Sequence, residues 1–140
     1  LLTDVPDHIS YHGNEAAMRQ VISILLDNAV KAVEEGGFIL MKGSKLTQGY
    51  EIKVVDNGRG IPQEEIARIT EAFYMVDKSR SRKEGGAGIG MALCQKIITL
   101  HQGELKIDSK LGEGTVMRLY FPGEMQVVKN KSNRGAKGGI

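Results

Sequence analysis

Hydrophobic residues recur along the chain with two different periods, and the longer period marks helices. Between residues 14 and 35 they return at every third or fourth position, which predicts a long amphipathic helix. Its apolar face carries Met18, Val21, Ile22, Leu25, Leu26, Ala29 and Val33. Asn14 is suited to cap the start of this helix, and Gly36-Gly37 is suited to end it. A second helix with the same period is predicted over residues 88–101.

Short apolar runs bounded by turn residues mark four strands in two pairs. The strands are predicted at 38–43, 50–56, 103–109 and 114–122. A polar turn, "SKLTQG", joins the first pair, and "LGEG" with Gly112 and Gly114 is a hairpin signal in the second. A short helix is predicted after Pro62, because proline suits a first helical turn. This order of elements predicts an α+β sandwich with helices on one face of a mostly antiparallel sheet.

Composition and charge exclude several classes of protein. The 140 residues suit a single domain, and no stretch approaches the roughly 20 apolar residues that span a membrane. The single cysteine, Cys94, forms no internal disulfide, so a reducing compartment fits, and no zinc-ligand spacing is present. Residues 127–140 hold four basic residues and no acid, which leaves 15 basic and 17 acidic residues in 1–126. The body therefore has no basic nucleic-acid footprint, and the tail is predicted to be disordered.

The first candidate for chemistry is "LLDNAVKAV", residues 25–33 in the long helix. Asn28 and Lys31 are three residues apart and share one side of the helix. An amide oxygen at the edge of the apolar stripe can ligate a hard cation such as magnesium, and the lysine can meet a phosphate. The alternative is a boundary asparagine beside a solvated lysine.

The second candidate is "VVDNGRGIP", residues 54–62, where a strand runs into a carboxylate and two glycines. Asp56 is an acceptor when ionised, and at the end of a buried strand it needs a donor such as the amino group of a purine. Gly58 and Gly60 allow the backbone to approach a flat ligand closely. The alternative is a simple turn, because Asn-Gly is a strong turn signal.

The third candidate is "KSRSRKEGGAGIGMA", residues 78–92, where a basic run precedes a glycine-rich helix start. Exposed backbone N–H groups at such a start bind phosphate. Gly86, Gly88 and Gly90 alternate as G-x-G-x-G, so neither the dinucleotide-binding pattern nor a P-loop is present. The alternative is a solvated run of charges.

Together the three motifs resemble those of the ATP-binding domain of sensor histidine kinases, within the wider gyrase, heat-shock chaperone and MutL type of ATPase. "LLDNAVKAV" resembles the asparagine motif of that family, "DNGRGIP" its first glycine motif, and "GGAGIGMALCQKII" its second. "EAFYMVDKSRSR" resembles the entry to its ATP lid, and residues 100–122 resemble its closing strands. The resemblance covers residues 14–122, between a lead-in at 1–13 and the basic tail at 123–140.

The resemblance implies a Bergerat-type sandwich of about three helices on a mixed sheet, with ATP and magnesium as cofactors and a mobile lid at 74–87. Adenine would bind Asp56, and magnesium would bind Asn28. The ATP-binding residues it implies are Asn28, Lys31, Asp56, Gly58, Gly60, Ile61, Phe73, Lys78, Arg80, Gly86, Gly88, Ile89 and Gly90.

The chain departs from the family pattern at several positions. Ile24 lies four residues before Asn28, where hydrolytic relatives carry the glutamate that activates water, so rapid hydrolysis is not expected. In the lid, Met75 replaces an arginine, while Thr70 and Ala72 replace a phenylalanine and a proline. These changes bear on closure of the lid more than on adenine binding.

No histidine of the chain has the sequence context of a phosphoacceptor. His8 and His12 lack a surrounding helical heptad pattern, and His101 follows the second predicted helix, so all three are expected to be surface or capping residues. We therefore expect a fragment that begins after the acceptor domain and does not phosphorylate itself.

The function that the resemblance implies is transfer of the γ-phosphoryl group of Mg-ATP to a histidine on a separate dimerisation domain. A response regulator would act downstream in a two-component phosphorelay, and the domain would be cytoplasmic, without contact to membrane or nucleic acid. A serine kinase of the anti-sigma-factor type and a non-catalytic nucleotide-binding module remain as alternatives.

Overall fold

The computed structural model describes residues 1–5, 13–70 and 90–123. In chain order its elements are β1 (Leu2–Asp4), α1 (Glu15–Ala32), β2 (Ile39–Leu46), β3 (Gly49–Asp56), α2 (Gln63–Ile66), α3 (Gly90–Leu100), β4 (Glu104–Lys110) and β5 (Gly114–Pro122). Across these ranges, no helix combines the length and the apolar character needed to cross a membrane.

The five strands form one mixed sheet in the order β1-β2-β3-β5-β4. Strand β1 pairs with β2 in parallel, and every other neighbouring pair is antiparallel. Because β5 lies between β3 and β4, the end of β3 faces the start of β5, and Asp56 is directly opposite Thr115. The sheet order therefore places the first glycine motif beside the closing hairpin.

The core lies between one face of the sheet and the helices α1 and α3. Helix α1 packs against β3 and α3, and α3 packs against β4. Alternate strand residues point into this layer, which buries Val54, Met117, Leu119 and Phe121, while α1 contributes Val21, Leu25 and Ala29. Cys94 of α3 is fully buried, and burial raises the pKa of its thiol to about 12, so it is a core residue rather than a reactive one.

The predicted fold class is confirmed, and several predicted boundaries shift. The N-cap is confirmed, because the Asn14 side chain accepts a hydrogen bond from the Ala17 N–H at 3.0 Å. The end of α1 was predicted at residue 35 and is wrong, since Val33 is already extended with φ −86° and ψ 153°. At this end of the helix Arg59 bonds to the carbonyl groups of Lys31 and Ala32.

The sheet also contains more than the sequence predicted. Strand β1 lies within the predicted lead-in and was missed. The turn "SKLTQG" is shorter than predicted, because β2 and β3 extend until residues 47–48 alone join them. The hairpin signal is confirmed: Gly112 and Gly114 adopt positive φ values of 85° and 123° between β4 and β5.

Candidate functional site

The loop that follows β3 is bonded to the C-terminal end of α1. The Arg59 backbone N–H donates to the Ala32 carbonyl at 3.1 Å, and the Arg59 guanidinium donates to the Lys31 carbonyl at 2.8 Å. These carbonyl groups have no partner within the helix, so a residue of the DNGRG motif caps α1 instead of the glycines predicted to do so. The contact fixes the asparagine motif and the first glycine motif relative to each other.

The two glycines of this loop lie where no side chain fits. A Cβ atom on Gly58 would lie 2.5 Å from the Ala32 carbonyl oxygen, and one on Gly60 would overlap the Lys110 carbonyl. Gly60 also has a positive φ of 77°, which glycine adopts without strain. Close approach of a ligand is the role predicted for these glycines, and the structure adds that the loop is packed between α1 and the β4–β5 hairpin.

Asp56 is the last residue of β3, and its side chain is buried at 8% exposure. One carboxylate oxygen accepts the Gly58 N–H at 2.8 Å. Burial raises the pKa of the Asp56 carboxyl above its ordinary value, while the backbone N–H groups of Gly58 and Thr115 and the positive charge of Arg59 act in the opposite direction. The site therefore holds a poorly solvated acceptor that gains from a donor supplied by a ligand.

Sequence reasoning missed two buried hydroxyl groups beside this carboxylate. The Ser109 hydroxyl donates to the Gly114 carbonyl at 2.9 Å and accepts the Ile61 N–H at 2.8 Å. It also lies 2.7 Å from the Thr115 hydroxyl, a contact in which either hydroxyl can donate. This network ties the predicted site residue Ile61 to the hairpin. The sequence offered one signal for this network: Ser109 is polar although it occupies the next inward position of β4 after Leu105 and Ile107.

The predicted phosphate and metal residues lie in the last two turns of α1. Asn28 is partly buried, as its predicted place at the edge of the apolar stripe requires. The Lys31 ammonium forms an ion pair with Asp27 at 3.2 Å, so an incoming phosphate would compete with that carboxylate. Both residues are on the turns that the Arg59 contact holds against the Asp56 loop.

The donor set near Asn28 fits magnesium better than a metal held entirely by protein. Across residues 1–5, 13–70 and 90–123, no three histidine, cysteine or acidic side chains cluster as ligands. Magnesium keeps several waters and takes other ligands from nucleotide phosphates, so one neutral amide oxygen is a compatible protein ligand.

Much of the predicted phosphate-binding segment falls outside the part of the chain that the structure describes. This holds for the predicted lid at 74–87 and for Phe73, Lys78, Arg80, Gly86, Gly88 and Ile89. Gly90 is described and begins α3, and a Cβ there would lie 3.4 Å from a methyl group of Ile24. The second glycine motif therefore reaches α1 one turn before Asn28.

His101 has the structural role expected of it. Its ring Nδ1–H donates to the Ile97 carbonyl at 2.9 Å, and its Nε2 accepts the Asn14 N–H at 3.3 Å. The ring also packs edge-on against Phe121. His8 and His12 lie outside the described residues.

Comparison with known proteins places these motifs in a family. The profile of the "Histidine kinase-, DNA gyrase B-, and HSP90-like ATPase" family matches residues 13–125. The chain is 36% identical over 124 residues to the adaptive-response sensory kinase SasA of Crocosphaera subtropica, covering 87% of the chain and 32% of SasA. It is 40% identical over 102 residues to the signal transduction histidine-protein kinase ArlS of Staphylococcus aureus, covering 73% of the chain and 23% of ArlS.

The solved structure of full-length ShkA in complex with AMPPNP has the same fold. It superposes with a TM-score of 0.73 at 26% identity, over 88% of this chain and 26% of ShkA. The chain spans less than a third of the length of SasA, ArlS or ShkA. It belongs to the histidine kinase-, DNA gyrase B- and HSP90-like ATPase family, as an ATP-binding domain of the histidine kinase type.

Proposed function

We propose that this domain binds Mg-ATP and donates the γ-phosphoryl group to a histidine on a separate dimerisation domain of its parent protein. The observation that carries the proposal is the buried Asp56 carboxylate at the end of β3, held by the Gly58 N–H. A response regulator would receive the phosphoryl group next, and the reaction would take place in the cytoplasm.

Adenine recognition follows from the acceptor character of Asp56. The exocyclic amino group of adenine is a donor, so it offers the buried carboxylate the hydrogen bond that burial removed. Guanine presents a carbonyl at that position, which would bring two acceptors together. Gly58, Gly60 and Ile61 form the adjoining loop, and the contacts to α1 and Ser109 hold it in place.

The phosphates would lie between α1 and the start of α3. Asn28 would hold magnesium, which supplies charge compensation for the phosphates when bound. Lys31 would contact the phosphates from the next turn, with Gly86, Gly88 and Gly90 offering backbone N–H groups. The structure of ShkA, solved with AMPPNP, is a similar fold in complex with an ATP analogue.

Transfer needs little from this chain beyond positioning. A ring nitrogen of the acceptor histidine would form the bond to the γ-phosphorus as the bond to the bridging oxygen breaks, and ADP would leave. The imidazole is itself the nucleophile, so this domain needs no base. Ile24 is partly buried against the core and cannot activate water, which favours transfer over hydrolysis.

Calorimetry on the Asp56→Ala variant tests the adenine contact. A hydrogen bond to a charged group contributes about 1.5–3 kcal/mol, so ATP affinity should fall by roughly tenfold or more. The wild-type domain should bind GTP weakly. Asp108→Ala, which removes an exposed carboxylate from the far side of the sheet, is the matched control and should retain wild-type affinity. An Asp56→Ala domain that folds and binds ATP like the wild type would refute the assignment.

A further inference from the structure

The sheet face opposite the helices carries basic residues in one line across four strands. Lys42 of β2 is directly opposite Lys53 of β3, Lys53 is opposite Arg118 of β5, and Arg118 is opposite Lys106 of β4. We call these four residues the basic row. Neighbouring strands are about 4.8 Å apart, so the row is about 14 Å long.

This alignment is unfavourable within the domain itself. Like charges directly opposite each other destabilise a sheet, and here three consecutive strand pairs place them so. Asp108 forms an ion pair with Arg118 at 2.6 Å, and Asp4 is opposite Lys42 at one end of the row. Among the described residues, no carboxylate lies within ion-pair distance of the three lysines.

The rows on either side limit what can neutralise these charges. On one side Leu40, Val55 and Val116 are directly opposite one another and partly exposed, and Asp108 of β4 ends this row opposite Val116. On the other side the facing residues include Glu51 and Glu104. A broad anionic surface, such as a membrane or a duplex, would meet these glutamates as well as the lysines. A narrow acidic element with an apolar edge avoids that repulsion.

The described helices α1 and α3 pack on the other face of the sheet and leave this one open. Residues 127–140 contain four basic residues and no acidic one, so this segment has no acidic side chain to pair with the basic row. The spacing of the row also discriminates between partner elements. Carboxylates three or four residues apart on a helix are separated by about 4.5–6 Å along its axis, which is close to the distance between neighbouring strands. Side chains on one side of an extended strand are about 6.6 Å apart, which matches the row less well.

We propose that the basic row and the apolar row beside it bind an acidic amphipathic helix of a partner protein. The carboxylates of that helix would lie along the four basic residues, and its apolar edge would cover Leu40, Val55 and Val116. This surface lies on the opposite face from the buried Asp56 side chain, so the proposal does not depend on nucleotide binding.

The probe is a labelled helical peptide with glutamates at i, i+4, i+7 and i+11 and leucines along the adjacent edge. Its affinity is measured by fluorescence anisotropy for the wild-type chain and for Lys42→Gln/Lys53→Gln/Lys106→Gln. Three charge pairs at the surface together should make the wild type bind about tenfold more tightly at low salt, and added salt should reduce the difference. A matched peptide with glutamine in place of glutamate should bind weakly to both proteins.

A second triple variant, Arg19→Gln/Lys45→Gln/Lys96→Gln, controls for net charge, because these exposed residues lie outside the row. It should bind the acidic peptide like the wild type. Both triple variants should bind ATP normally, and the Tm of the row variant should hold or rise because like-charge repulsion is removed. Equal loss of peptide binding in the two variants would overturn the proposal. So would preferential, row-dependent binding to phosphatidylserine vesicles or to duplex DNA.

Discussion

Replacing Gly58 by alanine tests whether the loop that follows β3 depends on its contact with the end of α1. The new Cβ would lie 2.5 Å from the Ala32 carbonyl oxygen and 2.8 Å from its Cβ, so the loop or the helix end must move. Overpacking costs about 1–3 kcal/mol, and weakening the Arg59 bonds to Ala32 and Lys31 adds about 1 kcal/mol. The total of about 2–4 kcal/mol should lower Tm by roughly 5–15 °C for a domain of this size.

Thermal unfolding followed by circular dichroism measures this loss, and calorimetry measures the accompanying fall in ATP affinity. Gly36→Ala is the matched control, because its φ is also unfavourable for alanine but no atom lies within 4 Å of the added Cβ. It should cost about 1–2 kcal/mol and leave ATP affinity unchanged. If Gly58→Ala unfolds at the wild-type temperature, the close approach of the loop to α1 does not contribute to stability.

Two further predictions concern Asp56 and Asn28. Asp56→Asn should make the ligand-free domain more stable at neutral pH. Burial raises the pKa of Asp56 in the folded state, so its ionisation opposes folding. The folded state therefore loses stability as the pH rises from the ordinary pKa of 3.8 through the raised pKa. The stability difference in denaturant titrations should shrink towards pH 4, and a difference independent of pH would contradict the assigned cause. Asn28→Ala should remove most of the magnesium-dependent part of ATP affinity in calorimetry and change binding in EDTA much less. Equal losses with and without magnesium would make Asn28 a structural residue.

The sequence was most informative where the structure depends on local pattern. The helical period across residues 14–35 located α1, and Asn14 marked its start because an N-cap bonds only three residues ahead. Its end could not be predicted in the same way, since Arg59 caps the last carbonyl groups from 27 residues further along the chain. Strand β1 has three residues and pairs with β2 in parallel across a long separation, so it carries no local signal.

In the candidate site, too, local motifs could be predicted from the sequence and long-range contacts could not. Asp56 and the glycines that follow it could be recognised from their motif. The contribution of Ser109 and Thr115 depends on the pairing of β4 with β5 and of β5 with β3. The basic row has the same origin: Lys42 and Lys106 are unremarkable outward residues on their own strands, and only the register aligns them with Lys53 and Arg118.

Phosphoryl transfer to the parent dimerisation domain tests the central claim most directly. The chain is incubated with magnesium and γ-labelled ATP, alone and together with that domain, and the label is followed through acid and base treatment. We predict an acid-labile, base-stable label on the added domain, with no label and little hydrolysis when this chain is alone. The added domain supplies the nucleophile, while this chain holds the nucleotide in position. Rapid hydrolysis by the chain alone, an acid-stable label on a serine, or ATP binding without any label on the acceptor histidine would contradict the account.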